Sequence, residues 1–546
     1  MFSVPALSQG LKMEKLAGDY IGIHIPATEQ SKYLILPIEE NARESQITIV
    51  ADGQLCRTIN VHIASNKIDY YLPLKLDEFR GKDLMLYTHF NINHSNRGGV
   101  SSEPRIRGIK LSDSYTPEDE KFRPVYHHTP EYGWMNDPNG MFYLDGVWHL
   151  YYQYNPYGSM WGNMHWAHST STDLINWTDH GIVLSPDAHG TIFSGSCVVD
   201  KEGTAGFGKG AVIAMYTNCI QTPFGHDIQT QSIAYSTDGG YTFQKYSGNP
   251  VLTAKIADFR DPNPFWNEDI HEWNLIMASG QEMRLYSSPD LKHWKEESRF
   301  GRGLGCHYGV WECPDLMKVK VEGTNESKWV LICNLNPGGP YGGSATQYFV
   351  GDFDGREFTV DDETRYTAGK ALWQDYGKDH YASVSFYNAP DDRHSMIAWM
   401  SNWQYANEVP TKQFRSSNTI VRDPFLYKAG GKYYLGSRPA PEYDNAGLDT
   451  VFKINGSRTI TLANDDGDEL VISYDQKAMT LSVDRSGCGD TDFSEDFPAK
   501  TVAPVHRKLT SIRVFIDNAS VEVFGNDGEV VLTNLVFPTS PLNIVK

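Results

Sequence analysis

Two short strings place carboxylates in surroundings that suit an acid–base enzyme. WMNDPNG at residues 134–140 contains Asp137, and WECPD at residues 311–315 contains Glu312. Tryptophan and proline flank both side chains. One carboxylate that attacks or stabilises, and a second that protonates the leaving oxygen, are the minimum equipment for cutting a glycosidic bond. The pair therefore indicates that chemistry, provided that the fold brings the two strings together.

A third string, FRDP at residues 259–262, lies between the other two in the chain. Its Asp261 precedes a proline, and a second proline follows at position 264, so the backbone is stiff. A carboxylate in a fixed position is suited to gripping two adjacent sugar hydroxyls. We expect Arg260 to align Asp261 and to hold it ionised.

Each string also has a plain structural interpretation. NDPNG predicts a turn just ahead of the apolar run 141–144. The Arg260-Asp261 pair is equally consistent with a surface ion pair, and Glu312 with the end of a strand. Glu312 lies between Trp311 and Cys313, and apolar neighbours of this kind keep an acid catalyst protonated.

Composition limits the classes of function. The 546 residues predict two to four domains, and the net charge of −20 argues against nucleic acid or an anionic membrane as a partner. No apolar run is long enough to span a membrane. A neutral substrate is compatible with this charge, and aromatic residues, at 12% of the chain, are suited to stacking on sugar rings.

A five-fold repeat organises the middle of the chain. Apolar strand cores recur roughly every 55–70 residues, and an Asp-containing turn with an aromatic residue follows the first four of them. The cores are WHLYYQY at 148–154, AVIAMYT at 211–217, WNLIMA at 273–278, WVLIC at 329–333 and MIAWM at 396–400. A period of this size in an all-β chain predicts a propeller of five four-stranded blades. The alternative is one large irregular β domain.

The flanking regions show short, regularly spaced strands. We predict an all-β protein of three domains: a β-sandwich-like accessory domain over residues 1–118, a five-bladed propeller over 122–438 and a C-terminal β-sandwich over 439–546. The polar stretch 112–121 is interpreted as a linker. The seven cysteines show no metal-binding spacing, and disulfides are left open.

The three strings, in this order and within this repeat, resemble glycoside hydrolase family 32, the β-fructofuranosidases. The chain is similar to that family's pattern from about residue 122 to its end, and residues 1–118 lie outside the resemblance. Further matching pieces are YYQYNP at 151–156, WGNMHW at 161–166, FSGS at 193–196, DYGKD at 375–379, LSVDR at 481–485 and VEVFGNDG at 521–528.

The resemblance implies roles for individual residues. Asp137 is the expected nucleophile, Glu312 the acid/base, and Asp261 the group that binds fructosyl hydroxyls. Hydrogen bonds to the fructosyl unit are expected from Asn136, Gln153, Ser194 and Arg260, and pocket walls from Trp161, Phe193 and Trp399. Asp375 and Lys378 are expected near the leaving-group side. The implied mechanism is retaining, with a covalent fructosyl-enzyme and neither metal nor cofactor; retaining enzymes hold their carboxyl groups about 5 Å apart.

The chain departs from the family pattern at three places. Ala167 replaces a glycine, and His380 replaces an aromatic residue. Phe414 and Ser416 replace the tryptophan and the glycine of a Trp-Arg-Gly string. None of them is one of the three carboxylates, and they leave the leaving-group specificity and the packing of the fifth blade unassigned.

The resemblance implies a hydrolase acting on fructan or sucrose. A fructosyltransferase using the same site, and a non-catalytic carbohydrate-binding protein, are the alternatives. Inulin, levan and sucrose are not distinguished, nor is exo from endo action. Oligomeric state and the role of residues 1–118 also stay open. We expect export to the periplasm or the medium with a truncated signal at residues 1–10, and leave a cytoplasmic location open.

Overall fold

Strands make up nearly all of the regular structure. The computed structural model describes residues 11–16, 20–25, 31–89, 108–222, 226–367 and 369–546, so the expected signal at residues 1–10 lies outside it. Four three-residue 3-10 helices occur in these ranges, at Asp77–Phe79, Glu363–Arg365, Pro390–Asp392 and Pro441–Tyr443. The all-β class is confirmed. Within the described part of the chain, no helix has the length and apolarity needed to cross a membrane.

The N-terminal region forms two facing sheets. Its strands are β1 (Lys12–Lys15), β2 (Tyr20–Ile25), β3 (Tyr33–Ile38), β4 (Ser45–Ala51), β5 (Gln54–Val61), β6 (Tyr70–Lys75), β7 (Leu84–His89) and β8 (Lys110–Ser112). One sheet has the order β1-β2-β7-β4-β5 and the other β6-β3-β8. Along β4, Ile47 and Ile49 are buried while Gln46 is exposed, so alternation places one face on the core. That core continues into tyrosines of the first propeller blade, including Tyr154 and Tyr157.

Five sheets follow, and they are the blades of a propeller. The first contains β9 (Gly133–Leu144), β10 (Val147–Asn155), β11 (His165–Ser171) and β12 (Thr178–Leu184), and the second contains β13 (Thr191–Asp200), β14 (Ala211–Ile220), β15 (Ile228–Ser236), β16 (Gln244–Lys245) and β17 (Leu252–Thr253). The third contains β18 (Phe259–Asn267), β19 (Glu272–Ser279), β20 (Met283–Ser288) and β21 (Lys295–Phe300), and the fourth contains β22 (Val310–Lys320), β23 (Ser327–Asn336), β24 (Ala345–Phe353), β25 (Phe358–Val360) and β26 (Leu372–Trp373). The fifth contains β27 (Tyr381–Ser385), β28 (Met396–Trp399), β30 (Arg422–Ala429) and β31 (Lys432–Pro439).

The repeat in the sequence marks the same place in every blade. Each apolar core is the second strand of its sheet, which is buried on both faces because neighbouring blades pack against it. The four Asp-containing turns join the third strand to the fourth. In each turn, the Asp carboxylate accepts hydrogen bonds from two backbone N–H groups that follow it in the chain, as the sequence predicts. The donors are two and three residues after the Asp in three of the turns, and three and four residues after it in the second blade.

The innermost strands close a ring. Strand β9 contacts β13, and contacts continue through β18, β22 and β27, which returns to β9. A short strand, β29 (Phe414–Arg415), adds to the first sheet in parallel beside Gly133 and Trp134. The inner strands therefore surround one axis, and side chains aimed at it come from all five blades.

Every inner strand bulges at the same level. In each blade, two residues of the inner strand lie opposite one residue of the next strand. The bulged pairs are Asn136-Asp137, Phe193-Ser194, Asp261-Pro262, Cys313-Pro314 and Ala382-Ser383. A bulge re-aims the side chains beside it and ends regular pairing there. The NDPNG string is thus part of a bulged strand, and the prediction of a turn is wrong.

Three bulges place a residue in the left-handed region without glycine. The φ angles are 64° at Asp261, 41° at Cys313 and 53° at Ala382. Such conformations cost about 1–3 kcal/mol each and persist where the surroundings enforce them. Pro262 and Pro314 occupy the unpaired bulge position, where a missing N–H removes no ladder bond.

The C-terminal region is a second pair of sheets. Its strands are β32 (Asp449–Lys453), β33 (Arg458–Ala463), β34 (Glu469–Asp475), β35 (Thr480–Gly487), β36 (Lys500–Pro504), β37 (Ser511–Asp517), β38 (Ser520–Gly525), β39 (Val530–Leu535) and β40 (Ile544–Val545). The sheet orders are β32-β37-β38-β39 and β36-β35-β34-β33-β40. All seven cysteines are free thiols, six buried and Cys56 exposed.

A buried ionic network joins the propeller to this sandwich. His127 contacts Asp517 and Glu522, each at 2.8 Å, and Arg422 pairs with Glu522 and with Asp375. Burial alone lowers the pKa of His127, but its hydrogen bonds to the two carboxylates outweigh burial and raise that pKa to about 9. Two cations thus face three carboxylates in a site closed to water.

Replacing Arg422 by alanine is expected to destabilise the protein by about 3–5 kcal/mol, because Asp375 and Glu522 would stay buried without their cation. Chemical denaturation monitored by tryptophan fluorescence measures this. Lys428→Ala removes an ammonium from a solvent-exposed pair with Glu326 and should leave the transition almost unchanged. Equal midpoints for the two variants would contradict a structural role for the network.

Candidate active site

One cavity of about 410 Å³ lies where the five inner strands meet. All five strands contribute to its wall, through the bulges or the residues next to them. The lining residues are Asn136, Asp137, Gln153, Trp161, Phe193, Ser194, Asp227, Gln229, Asp258, Arg260, Asp261, Val310, Glu312, Asn336, Tyr381 and Trp403. The three predicted carboxylates, which are distant in the chain, therefore share one pocket.

Asp137 is held from both sides by neutral donors. The Ser194 hydroxyl donates to Oδ2 at 2.6 Å, and the Asn136 amide donates to Oδ1 at 3.0 Å. Asn136 is itself fixed, because the indole N–H of buried Trp134 donates to its Oδ1 at 2.9 Å. The carboxyl group is thus oriented by the two bulges of the first and second blades.

Asp261 is anchored through its backbone and its carboxylate. Its N–H donates to the Thr217 hydroxyl at 3.0 Å, and Oδ2 accepts the backbone N–H of Cys313 at 2.8 Å. The Cys313 thiol lies between two carboxylates, 3.5 Å from Oδ2 of Asp261 and 3.4 Å from Oδ2 of Asp137. This thiol spaces the two carboxylates, and its pKa is well above the usual range because of burial and these neighbours.

Glu312 is bonded on both oxygens. Arg260 donates to Oε1 through Nε at 3.1 Å and Nη2 at 2.7 Å, and the Tyr381 hydroxyl donates to Oε2. Arg260 also pairs with Asp258 at 2.7 Å. The side chain of Glu312 stays 20% exposed, which leaves it open to the cavity.

Crowding of acids in a low-dielectric pocket shifts their titration. Burial raises the pKa of Asp137, and the Glu312 charge adds to this, while hydrogen bonds from Ser194 and Asn136 oppose it. Burial also raises the pKa of Asp261 to about 7; the Arg260 charge opposes the shift, and the charges of Glu312 and Asp137 add to it. Because its pKa is about 7, Asp261 is partly protonated at neutral pH.

Most of the sequence-predicted residues line the cavity. Asn136, Gln153, Trp161, Phe193, Ser194 and Arg260 all reach it beside the three carboxylates. Gln153 lies opposite the first bulge and donates to the Ile192 carbonyl at 3.0 Å. The Trp161 and Phe193 rings meet edge to face, with centroids 6.0 Å apart.

The prediction for Arg260 holds in part. Its charge lowers the pKa of Asp261, as expected, but its guanidinium donates to Asp258 and to Glu312 in the fourth blade and does not align Asp261. The left-handed backbone at Asp261 turns successive side chains in different directions, so Asp261 is aligned by Thr217 and Cys313 instead.

Trp399 does not wall the pocket. It is completely buried and packs against Trp134 and Trp403, with ring centroids 5.9 and 4.8 Å away. Trp403 lies in front of it and reaches the cavity. The expected wall is therefore formed by a tryptophan four residues later in the chain.

Asp375 and Lys378 also lie away from the cavity. Asp375 accepts from Arg422, from the Thr533 hydroxyl at 2.6 Å and from the Thr533 N–H at 2.9 Å, and the Lys378 ammonium donates to the Asp496 carbonyl. Both are at the junction of propeller and sandwich, so the DYGKD string joins domains and carries no pocket side chain.

Sequence reasoning missed several lining residues: Asp227, Gln229, Asp258, Val310, Asn336, Tyr381 and Trp403. Tyr381 is the most informative of these because it contacts Glu312 directly. It directly follows His380, the departure noted after DYGKD, so the string itself marked its position.

The three departures lie outside the pocket lining. Ala167 is in the apolar cluster that the first blade shares with the N-terminal domain. His380 is buried beside the Thr346 hydroxyl, at 3.2 Å. Phe414 forms the closing strand β29, and Ser416, with φ 81°, follows it. Within the described residues, no group of three or more His, Cys, Asp or Glu side chains is arranged to hold a metal ion.

Comparison with known proteins assigns most of the chain. Residues 127–437 match the glycosyl hydrolases family 32 N-terminal domain, residues 442–546 match the family 32 C-terminal domain, and residues 23–126 match a domain of unknown function, DUF4980. A levanase of Bacillus subtilis (strain 168) is 42% identical over 463 residues, covering 77% of this chain and 67% of the levanase. An extracellular exo-inulinase of Aspergillus awamori is 36% identical, covering 80% of this chain and 92% of that enzyme.

Solved structures agree. The crystal structure of exo-inulinase from Aspergillus awamori matches with a TM-score of 0.71 at 35% identity, covering 78% of this chain and 94% of that chain. A fructofuranosidase variant from Schwanniomyces occidentalis, complexed with fructosylnystose, matches with a TM-score of 0.69 at 33% identity and covers 78% and 93%. The five-bladed propeller with its C-terminal sandwich is thus the fold of these enzymes, and the chain belongs to glycosyl hydrolase family 32.

Proposed function

We propose that the protein is a retaining β-fructosidase that releases fructose from fructan or sucrose through a covalent fructosyl-enzyme. The carrying observation is the convergence of Asp137, Asp261 and Glu312 in one cavity. Levanase and exo-inulinase relatives support the substrate class. Extracellular relatives likewise support export of this chain.

In the first step, Asp137 attacks the anomeric carbon of the fructosyl unit. The bond from that carbon to the leaving oxygen breaks, and Glu312 gives its proton to the oxygen. Ser194 and Asn136 orient the attacking carboxylate. Arg260 and Tyr381 fix the carboxyl group of Glu312, so both reacting groups are positioned before substrate enters.

In the second step, Glu312 acts as a base toward water. The water attacks the same carbon, the bond to Asp137 breaks, and fructose leaves with its original configuration. Asp261 accepts hydrogen bonds from ring hydroxyls in both steps. Trp161, Phe193 and Trp403 cover the sugar faces and limit the entry of water.

Product analysis tests this function. Chromatography after incubation with sucrose, inulin and levan should show free fructose from at least one of them. Fructose alone indicates exo action, whereas a ladder of oligomers indicates endo action. New, longer oligomers at high sucrose would indicate transfer to sugar. The absence of any fructosyl product from all three substrates would contradict the proposal.

Asp137→Asn should lower fructose release to less than about a thousandth of wild type, because the amide cannot form the covalent intermediate. Initial rates on sucrose measure this. Asp145→Asn, an exposed change in the turn that follows β9, is the matched control and should retain activity. If Asp137→Asn retains more than about a thousandth of the wild-type rate, Asp137 is not the nucleophile.

Glu312→Gln should slow sucrose hydrolysis by about 10²- to 10⁴-fold, since the leaving alkoxide then receives no proton. Formation of the fructosyl-enzyme from fructosyl fluoride should fall far less, because fluoride leaves without a proton. Rapid-mixing kinetics with both substrates give the comparison, and Glu326→Gln at the surface is the control. Equal losses on both substrates would exclude the acid role.

Asp261→Asn should abolish most activity yet raise thermal stability at neutral pH. The folded-state pKa of Asp261, about 7, exceeds its ordinary value, so the wild type loses stability as the pH rises from about 4 to 7. Asparagine has no proton to lose. Melting temperatures of both proteins between pH 4 and pH 8 should therefore diverge as the pH rises; a constant difference would contradict this origin.

A further inference from the structure

The loop between β10 and β11, residues 156–164, lies between the N-terminal domain and the cavity. It carries Trp161, which lines the cavity and is 37% exposed. Asn155 fixes the loop from inside: its Nδ2 donates to the Met160 carbonyl at 2.8 Å, and its Oδ1 accepts the Tyr157 N–H at 3.0 Å. The outer side of the loop is held by a different part of the chain.

One outer contact uses the edge strand of the N-terminal domain. Among the described strands, β5 is the last of its sheet, so alternate backbone groups along it have no described strand beside them. The Asn60 N–H donates to Oδ1 of Asn163 at 2.9 Å, and Nδ2 of Asn163 donates to the Asn60 carbonyl at 2.8 Å. The Asn163 side chain thus pairs with this edge as a strand would, two residues after Trp161.

The second outer contact is at Ser159, two residues before Trp161. The Tyr70 hydroxyl lies 2.7 Å from the Ser159 hydroxyl and accepts the Ser159 N–H at 3.2 Å. The Ser159 hydroxyl donates to Glu40 at 2.6 Å, and Glu40 pairs with Arg415 at 3.1 Å. Tyr70 and Ser159 are both fully buried, so these bonds do not compete with water.

We propose that the N-terminal domain is a positioning element of the fructosyl pocket: by holding Ser159 and Asn163 on either side of Trp161, it sets the place of the tryptophan ring against the bound sugar. This rests on the proposed function of the cavity. Trp161 covers the ring of the substrate and touches no reacting bond. Loosening the position of Trp161 should therefore weaken the binding of substrate and transition state alike. Such a change raises KM and leaves kcat unchanged.

Tyr70→Phe tests the proposal by removing only the hydroxyl that holds Ser159. KM for the best of the three substrates should rise about threefold to tenfold, the effect of one lost hydrogen bond, with kcat within twofold. Tyr427→Phe is the matched control: its buried hydroxyl donates to the Glu529 carbonyl at 3.0 Å and lies outside the pocket lining. Asn163→Ala, which removes the contact with β5, should raise KM in the same way.

A double-mutant cycle separates positioning from general loosening. In a Trp161→Ala background, Tyr70→Phe should change KM by less than about 1.5-fold, because the side chain it positions is gone. If Tyr70→Phe changes KM as much in that background as it does in the wild type, the proposal is overturned. It is also overturned if Tyr70→Phe and Tyr427→Phe lower the melting temperature equally and give the same KM. An inactive wild type would instead refute the proposed function itself.

Discussion

The site depends on placing five carboxyl groups around one cavity. Among the residues that the structure describes, Asp137, Asp227, Asp258, Asp261 and Glu312 line this cavity, and Arg260 is the one basic residue in its wall. Burial raises the pKa of Asp137 and of Asp261, and the charges of neighbouring carboxylates add to both shifts. The protein answers mainly with neutral donors: the hydroxyls of Ser194 and Tyr381, the side-chain amide of Asn136 and the backbone N–H of Cys313. These donors stabilise negative charge on the acids without adding a full positive charge to the site.

Those donors are available because the backbone leaves its regular pattern. A bulge in each inner strand releases backbone groups and turns polar side chains toward the axis at one common level. Five-fold repetition then brings these side chains together without any one strand carrying more than two of them. The strain at Asp261 and Cys313 is balanced by close packing of the blades on either side.

Features that depend on residues close together in the chain could be predicted from the sequence. Features that depend on how distant residues pack were missed. The carboxylates could be predicted because each stands beside a proline or an aromatic residue in a compact string, and the blades because their second strands are uniformly apolar. The turn prediction for NDPNG was wrong because turn-forming residues also suit a bulge. The resemblance implied Trp399, and Trp403 was missed because no periodicity orders the irregular segment after β28. The resemblance also implied Asp375 and Lys378, whose partners in the structure lie at the buried domain junction.

The thiol state of the chain has a practical consequence. All seven cysteines are free thiols, and six of them are buried. Six of the sulfur atoms are shielded, so Cys56, on the outer strand of the N-terminal domain, offers one addressable position for a fluorophore or a surface tether.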